Sequence, residues 1–180
     1  MSELSGPIWV QRFPTSTSVD ELSLPFRDNL KRFLQALADA NAEVHISATY
    51  RPVERAFLMH YAWKIARDGM NPANVPSHPG IDINWVHSTL QQSRHAAQQM
   101  VDAYDMAHVA ALNSEHTARR AVDMTISWTG PLSIRDSSGT VIKISTSPRT
   151  GMNQKLAQVG SGYGVKKLMS DRPHWSLSGN

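Results

Sequence analysis

Two short runs hold residue types that can do chemistry. In "NSEHTARRAVDMTI", residues 113–126, His116 precedes Asp123 by seven positions; in "DRPHW", residues 171–175, Asp171 precedes His174 by three. The chain has no cysteine, which excludes thiol nucleophiles, disulfides and thiolate metal sites and leaves imidazoles and carboxylates as the strong metal donors. Two ligands of one ion must bring their donor atoms within roughly 3 to 3.5 Å of each other. On a continuous helix His116 and Asp123 share a face but stand about 10.5 Å apart along the axis. On a continuous strand they fall on opposite faces. The spacing therefore serves a metal only if the chain bends. Either the pair is accidental, or a turn around Thr117 to Arg119 folds the histidine back over the start of a strand.

Together, His116, Asp123 and His174 supply two imidazoles and one carboxylate with a fourth position open for water. That is the composition of a catalytic zinc site, not a closed structural one. Zinc lowers the pKa of a bound water and polarises a carbonyl. A carboxylate must then take the water's proton and pass it to a leaving amine, and Asp171, beside the third ligand, is placed for that role. His78 and Asp82 in "PSHPGIDINW" are a rival pair flanked by Gly80. They lack a third ligand in matching context and read as turn-stabilising or substrate-contacting. His45 reads as a half-buried strand side chain, and His60, His95 and His108 as residues on the polar faces of helices. "KK" at 166–167 reads as solvated charge.

"SEHTARRAVD" and "DRPHW" resemble the two signatures of the zinc D-Ala-D-Ala carboxypeptidases and L-alanyl-D-glutamate endopeptidases that cut peptidoglycan stem peptides, a family with phage-endolysin members. Its pattern is SxHxxGxAxD followed later by a carboxylate, two residues, His and Trp. Ser114, His116, Ala121 and Asp123 match the first signature; Asp171, His174 and Trp175 match the second. "SATYRP" resembles the family's strand-end segment, whose arginine points at the substrate carbonyl, which puts Arg51 in that role. The similarity runs roughly over residues 44–176. It implies a Hedgehog/D,D-peptidase-like fold and one Zn²⁺ per chain on His116, Asp123 and His174. It further implies Asp171 as base, Arg51 against the oxyanion, Ser114 toward the substrate or the ligand loop, and Trp175 walling the substrate pocket, a residue that also reads as core packing. Two departures stand out. Arg119 occupies the pattern's glycine position, where a positive φ would strain it unless the turn differs. The base is Asp171 where glutamate is frequent, a feature of endolysin-type members.

These residues need elements to hold them. "SLPFRDNLKRFLQALADANA" reads as an amphipathic helix with Ser23 as N-cap, Pro25 near its first turn, and Phe26, Leu30, Phe33, Leu34 and Leu37 as its stripe. "VHISATY" alternates and reads as a strand ended by Arg51-Pro52. "VERAFLMHYAWKIARDG" reads as a second helix with Gly69 as C-cap. Residues 70–88 form a long ordered loop, and "TLQQSRHAAQQMVDAYDMAHVAAL" a third helix of about 20 residues. "AVDMTISW" and "PLSIRDSSGTVIKIS" read as strands, the latter a hairpin over "DSSG". "MNQKLAQVG" suggests a short helix, and "GYGVKKLMSDRPHWSLS" loop and strand. The expected fold is one α+β domain over 23–180, a small antiparallel sheet with helices packed on it, after an irregular segment over 1–22.

Composition sets the remaining bounds. The chain has 180 residues, 41% hydrophobic and 18% charged, which suits one folded domain. Its formal charge of +3 comes from scattered Lys and Arg, so no nucleic-acid partner is expected. No run approaches 18 apolar residues, so no membrane insertion is expected. The start, "MSELSGPIWVQRFP", lacks the features of a signal peptide. Cytoplasmic synthesis is expected, followed by action in the periplasm or wall after lysis or specialised secretion. In the secreted case an immunity partner is expected. A monomer acting on peptidoglycan peptides, preferably at L-Ala-D-Glu, is the leading expectation. The alternatives are a D-Ala-D-Ala carboxypeptidase and a non-catalytic wall-binding or phage-structural module.

Overall fold

Helices form where apolar side chains recur every three or four residues, and strands where they alternate. The computed structural model of the chain describes residues 2–180. In chain order its elements are β1 (Glu3–Leu4), α1 (Phe26–Asp39), β2 (Glu43–Ala48), α2 (Val53–Ala66), β3 (Ile83–Asn84), α3 (Leu90–Ala103), β4 (Ala121–Ser127), β5 (Leu132–Arg135), β6 (Val141–Ile144), α4 (Gln154–Gly162), β7 (Lys166–Lys167) and β8 (His174–Ser176). Short 3-10 turns lie at Pro7–Trp9, Val19–Glu21 and Pro72–Asn74. The class is α+β, as the patterning predicts. The chain divides into two compact units: the chain up to Thr15 with Arg51–Thr117, and Ser16–Tyr50 with Ala118–Asn180. No helix among the described residues is long and apolar enough to cross a membrane.

In the first unit α2 packs on α3, burying Phe57, Leu58, Ile65, Met100, Trp9 and Trp85 in one cluster. Thr89 caps α3, its Oγ1 accepting the Gln92 N–H at 3.1 Å. The expected third helix is shorter than its apolar pattern suggested. It stops at Ala103, and Asp105 turns the chain with a positive φ of 53°. His108 thus falls outside the helix. At the end of α2, Arg67 is the C-cap, and Gly69, φ 73°, lies two residues beyond, where Met70 N–H reaches back to the Lys64 carbonyl. Segments expected as irregular and loop also hold a small parallel pair, β1 with β3.

The second unit is built on an antiparallel sheet in the order β2-β4-β8-β7. On α1, Phe26, Leu30, Phe33 and Leu37 are wholly buried, each contributing roughly 1.5–3 kcal/mol of hydrophobic stabilisation. Leu34, expected in the stripe, packs only at the margin of that core. Ser23 is not the N-cap; Pro25 occupies that position without a side-chain cap. Ser23 instead donates its N–H and its hydroxyl to the Arg119 carbonyl, at 2.9 and 3.1 Å. Asn153 caps α4 by accepting the Lys155 and Leu156 N–H groups at 3.0 and 3.3 Å. α4 packs so closely on the core that a Cβ on Gly160 would lie 2.7 Å from Trp175 Cζ3 and 2.9 Å from the Val165 carbonyl oxygen. β5 and β6 form the expected hairpin, closed where Asp136 Oδ1 accepts the Ser138 and Thr140 N–H groups at 2.9 and 3.0 Å.

Candidate metal centre

Alternation along β4 sorts its side chains. Val122, Met124 and Ile126 are buried in the core, while Asp123, Thr125 and Ser127 stand on the opposite face. β8 runs antiparallel beside the start of β4 with His174 directly across from Asp123. This register brings His174 Nδ1 to 3.1 Å from Asp123 Oδ1. The other ring nitrogen, Nε2, lies 2.9 Å from the main-chain oxygen of Asn180. A main-chain oxygen only accepts, so Nε2 carries the hydrogen, and a neutral His174 then turns the bare Nδ1 lone pair toward the carboxylate. Two lone pairs 3.1 Å apart need a cation between them, either a proton or a metal. Burial of His174 works against its imidazolium, but the hydrogen bond and charge of Asp123 outweigh it, with help from the Asn180 main-chain oxygen and Asp171, and raise its pKa.

The spacing of seven is resolved by a bend. Residues 115–119 form turns, and β4 begins at Ala121. Ser114 and Thr117 fasten the turn. Thr117 Oγ1 accepts the Ser114 N–H at 2.8 Å and donates to the Ser114 carbonyl at 2.9 Å, while Ser114 Oγ accepts the Thr117 N–H at 3.2 Å. Arg119 takes φ 61°, a left-handed conformation that a glycine would adopt freely. Its side chain is held: Nη1 donates to the Glu21 carbonyl at 3.0 Å, and the guanidinium lies 3.7 Å from the Tyr50 ring centroid. The result is a group in which His116, Asp123 and His174 each offer one donor atom, all within 4.8 Å of one another. His116 is 5% and His174 7% exposed, so both imidazoles are desolvated. Two buried imidazoles and a carboxylate, one pair already demanding a shared cation, fit a divalent metal ion.

The other expected residues take varied places. Arg51 follows β2, and its main-chain N–H donates to the His116 carbonyl at 3.3 Å. Ahead of it, Thr49 Oγ1 lies 3.0 Å from both the Ser16 and Ser18 carbonyls, tethering the "SATYRP" segment. Ser114 serves the ligand loop, as described above. Asp171 is exposed and lies outside the donor group; its main-chain carbonyl accepts the His174 N–H at 3.2 Å, a tight turn that sets the two side by side. Of the two readings of Trp175, core packing and pocket wall, the first holds. It is wholly buried, 5.5 Å from the Phe33 ring, and so belongs to the core with no surface left to wall a pocket. His78 stacks on Phe57 at 4.8 Å with Nδ1 2.7 Å from the Pro79 carbonyl, a turn-stabilising role. His45 is exposed rather than half-buried.

Two residues escaped the sequence. Lys167 is no solvated charge. Its Nζ donates to the main-chain carbonyls of Leu168 and His174, at 2.7 and 3.1 Å, and to that of Asp171, tying the loop that carries Asp171 and His174. Burial lowers its pKa, partly offset by Asp171 and Asp123. Ser176, wholly buried, donates its hydroxyl to the Asn180 main-chain oxygen at 3.0 Å and accepts the Gly179 N–H at 2.9 Å. It thus holds the acceptor that fixes the His174 tautomer. Comparison with family models and with curated proteins finds no match to this chain.

Proposed function

We propose that the protein is a zinc-dependent peptidase of peptidoglycan stem peptides, with the L-Ala-D-Glu bond as its target. The observation that supports this most is the His116–Asp123–His174 donor group, formed by the residues through which the sequence resembles that family. Zinc is the metal proposed, because a donor set of two imidazoles and one carboxylate suits it and leaves a position open. When bound, it supplies Lewis-acid polarisation and an acidified water. The chain's residues do the rest. Asp171 accepts the proton of the attacking water and returns it to the departing amine. Arg51 balances the negative charge that develops on the carbonyl oxygen. Ser176, through Asn180, holds His174 in the tautomer that leaves Nδ1 free to bind.

Purified sacculi incubated with the protein, with and without chelator, test the reading. Digestion with release of new amino termini on D-glutamate is expected, lost with chelator and restored by zinc. Release of D-alanine instead would move the target to the D-Ala-D-Ala bond. Asp171→Ala is expected to retain about one zinc per chain and lose digestion; full activity in that variant would remove Asp171 as base. Metal bound without any turnover would favour a wall-binding module on the same scaffold.

A further inference from the structure

Strand β4 outruns its neighbour. β8 pairs with Ala121–Asp123 only. At the next step the Pro173 carbonyl accepts the Met124 N–H at 2.9 Å, but Pro173 has no N–H to return to the Met124 carbonyl. Further on, the Ile126 carbonyl accepts the Gly151 N–H at 3.0 Å. The N–H and carbonyl of a strand residue point to the same side, so the Met124 carbonyl and the Ile126 N–H face outward on this edge. Neither group meets a partner among the described residues. Beside them lies a cleft of about 450 Å³, lined by Ser47, Thr125, Thr150, Met152, Arg172 and Pro173 among others. Arg172 is exposed and pairs with no acidic group among the described residues. Thr125 shares a face with Asp123 two residues away, about 7 Å along the strand.

Resting on the peptidase reading above, we propose that this cleft is the substrate-peptide subsite. One residue of an extended stem peptide adds to the β4 edge, donating its N–H to the Met124 carbonyl and accepting the Ile126 N–H on its own carbonyl. Arg172 holds the free carboxylate of the peptide's glutamyl residue. A missing ladder donor at Pro173, two unused main-chain groups, a cavity and an unpaired guanidinium converge on one ligand chemistry: an extended, carboxylate-bearing peptide.

The probe is the tripeptide D-Glu-γ-diaminopimelate-D-Ala, which lacks both candidate scissile bonds, added to ¹⁵N-labelled, zinc-loaded protein. The expected result is a shift of the Ile126 amide and slowing of its hydrogen exchange by about tenfold or more, while the Thr125 amide, on the β2 side, stays unchanged. Arg172→Ala should weaken binding about tenfold and Arg172→Lys should restore part of it. Tripeptide binding that leaves the Ile126 amide unmoved, or equal affinity in Arg172→Glu, overturns the proposal, as does no binding at all. Zinc content is measured on the same samples and the titration repeated on zinc-free protein. Absence of zinc binding would count against the metallopeptidase reading, whereas the Ile126 response judges the subsite.

Discussion

The guanidinium of Arg119 lies 3.7 Å from the centroid of the Tyr50 ring, and this contact holds a non-glycine residue at φ 61° in the bend between two metal-donor residues. Left-handed backbone costs an ordinary residue roughly 1–2 kcal/mol. The stacking, the bond to the Glu21 carbonyl and the two Ser23 donors on the Arg119 carbonyl offset that cost. Arg119→Ala keeps the cost and loses the side-chain contacts, so a loss of about 1–3 kcal/mol is expected in urea denaturation. Arg119→Gly loses the same contacts but is freed of the strain, and should fall between wild type and Arg119→Ala. Equal stability of the two variants would show that φ at this position carries no cost.

Ser176 reaches the candidate metal group through Asn180. Ser176→Ala removes the hydroxyl that positions the Asn180 main-chain oxygen against His174 Nε2. A fall in zinc affinity of about 10- to 100-fold is expected by competition with a chelating dye, with the circular dichroism spectrum unchanged. Nitrogen NMR of His174 should show mixed tautomers in the variant; a single retained tautomer would assign its control elsewhere.

Acid and metal oppose each other at His174. Its pKa in the metal-free fold is raised, so the stability it contributes is fully present below the ordinary histidine value and is lost as pH rises through the raised one. The stability gap between metal-free wild type and His174→Gln should therefore narrow as pH rises past about 6.5. Zinc binding should show the reverse trend and weaken as pH falls, because the ion must displace a proton from Nδ1. A gap that widens toward alkaline pH would contradict the His174–Asp123 pairing in the free protein.

Lys167 tests whether the loop carrying Asp171 and His174 needs its half-buried tie. Lys167→Met removes three main-chain hydrogen bonds and the ammonium's contact with the Trp175 ring. A loss of about 1–3 kcal/mol is expected, with faster amide exchange at Asp171 and His174. Unchanged exchange at these two amides would mean the turn holds without the lysine.

Much of this was legible because it is local or periodic. The α1 stripe, the alternation of β4, the hairpin over "DSSG" and the helix from Gln154 follow from residues close in sequence. His116, Asp123 and His174 were legible because they fall in the two runs that resemble the family's signatures; their spacing alone left an accidental pair open. What failed was long-range or fooled by pattern. Ser23 looks like a cap, yet Arg119, distant in sequence, claims its donors. Met106, Val109, Ala110 and Leu112 continue a helical rhythm past the point where Asp105 turns the chain. Lys167 beside Lys166 looks like surface charge, and only the fold of the 168–174 loop gives it carbonyls to bind. Trp175 reads both as core and as pocket wall, and strand alternation keeps only the first, sending it to the face opposite His174.

That alternation has a genetic consequence. Odd positions of β4 carry Asp123 and even positions carry Val122, Met124 and Ile126, so the strand's parity sets both a candidate metal donor and the core. Deleting or inserting one residue between Ala121 and Asp123 reverses that parity: it drives a carboxylate into the core and turns apolar side chains outward. Point changes can separate the two functions of this strand, but a one-codon frame-preserving deletion abolishes both in a single step.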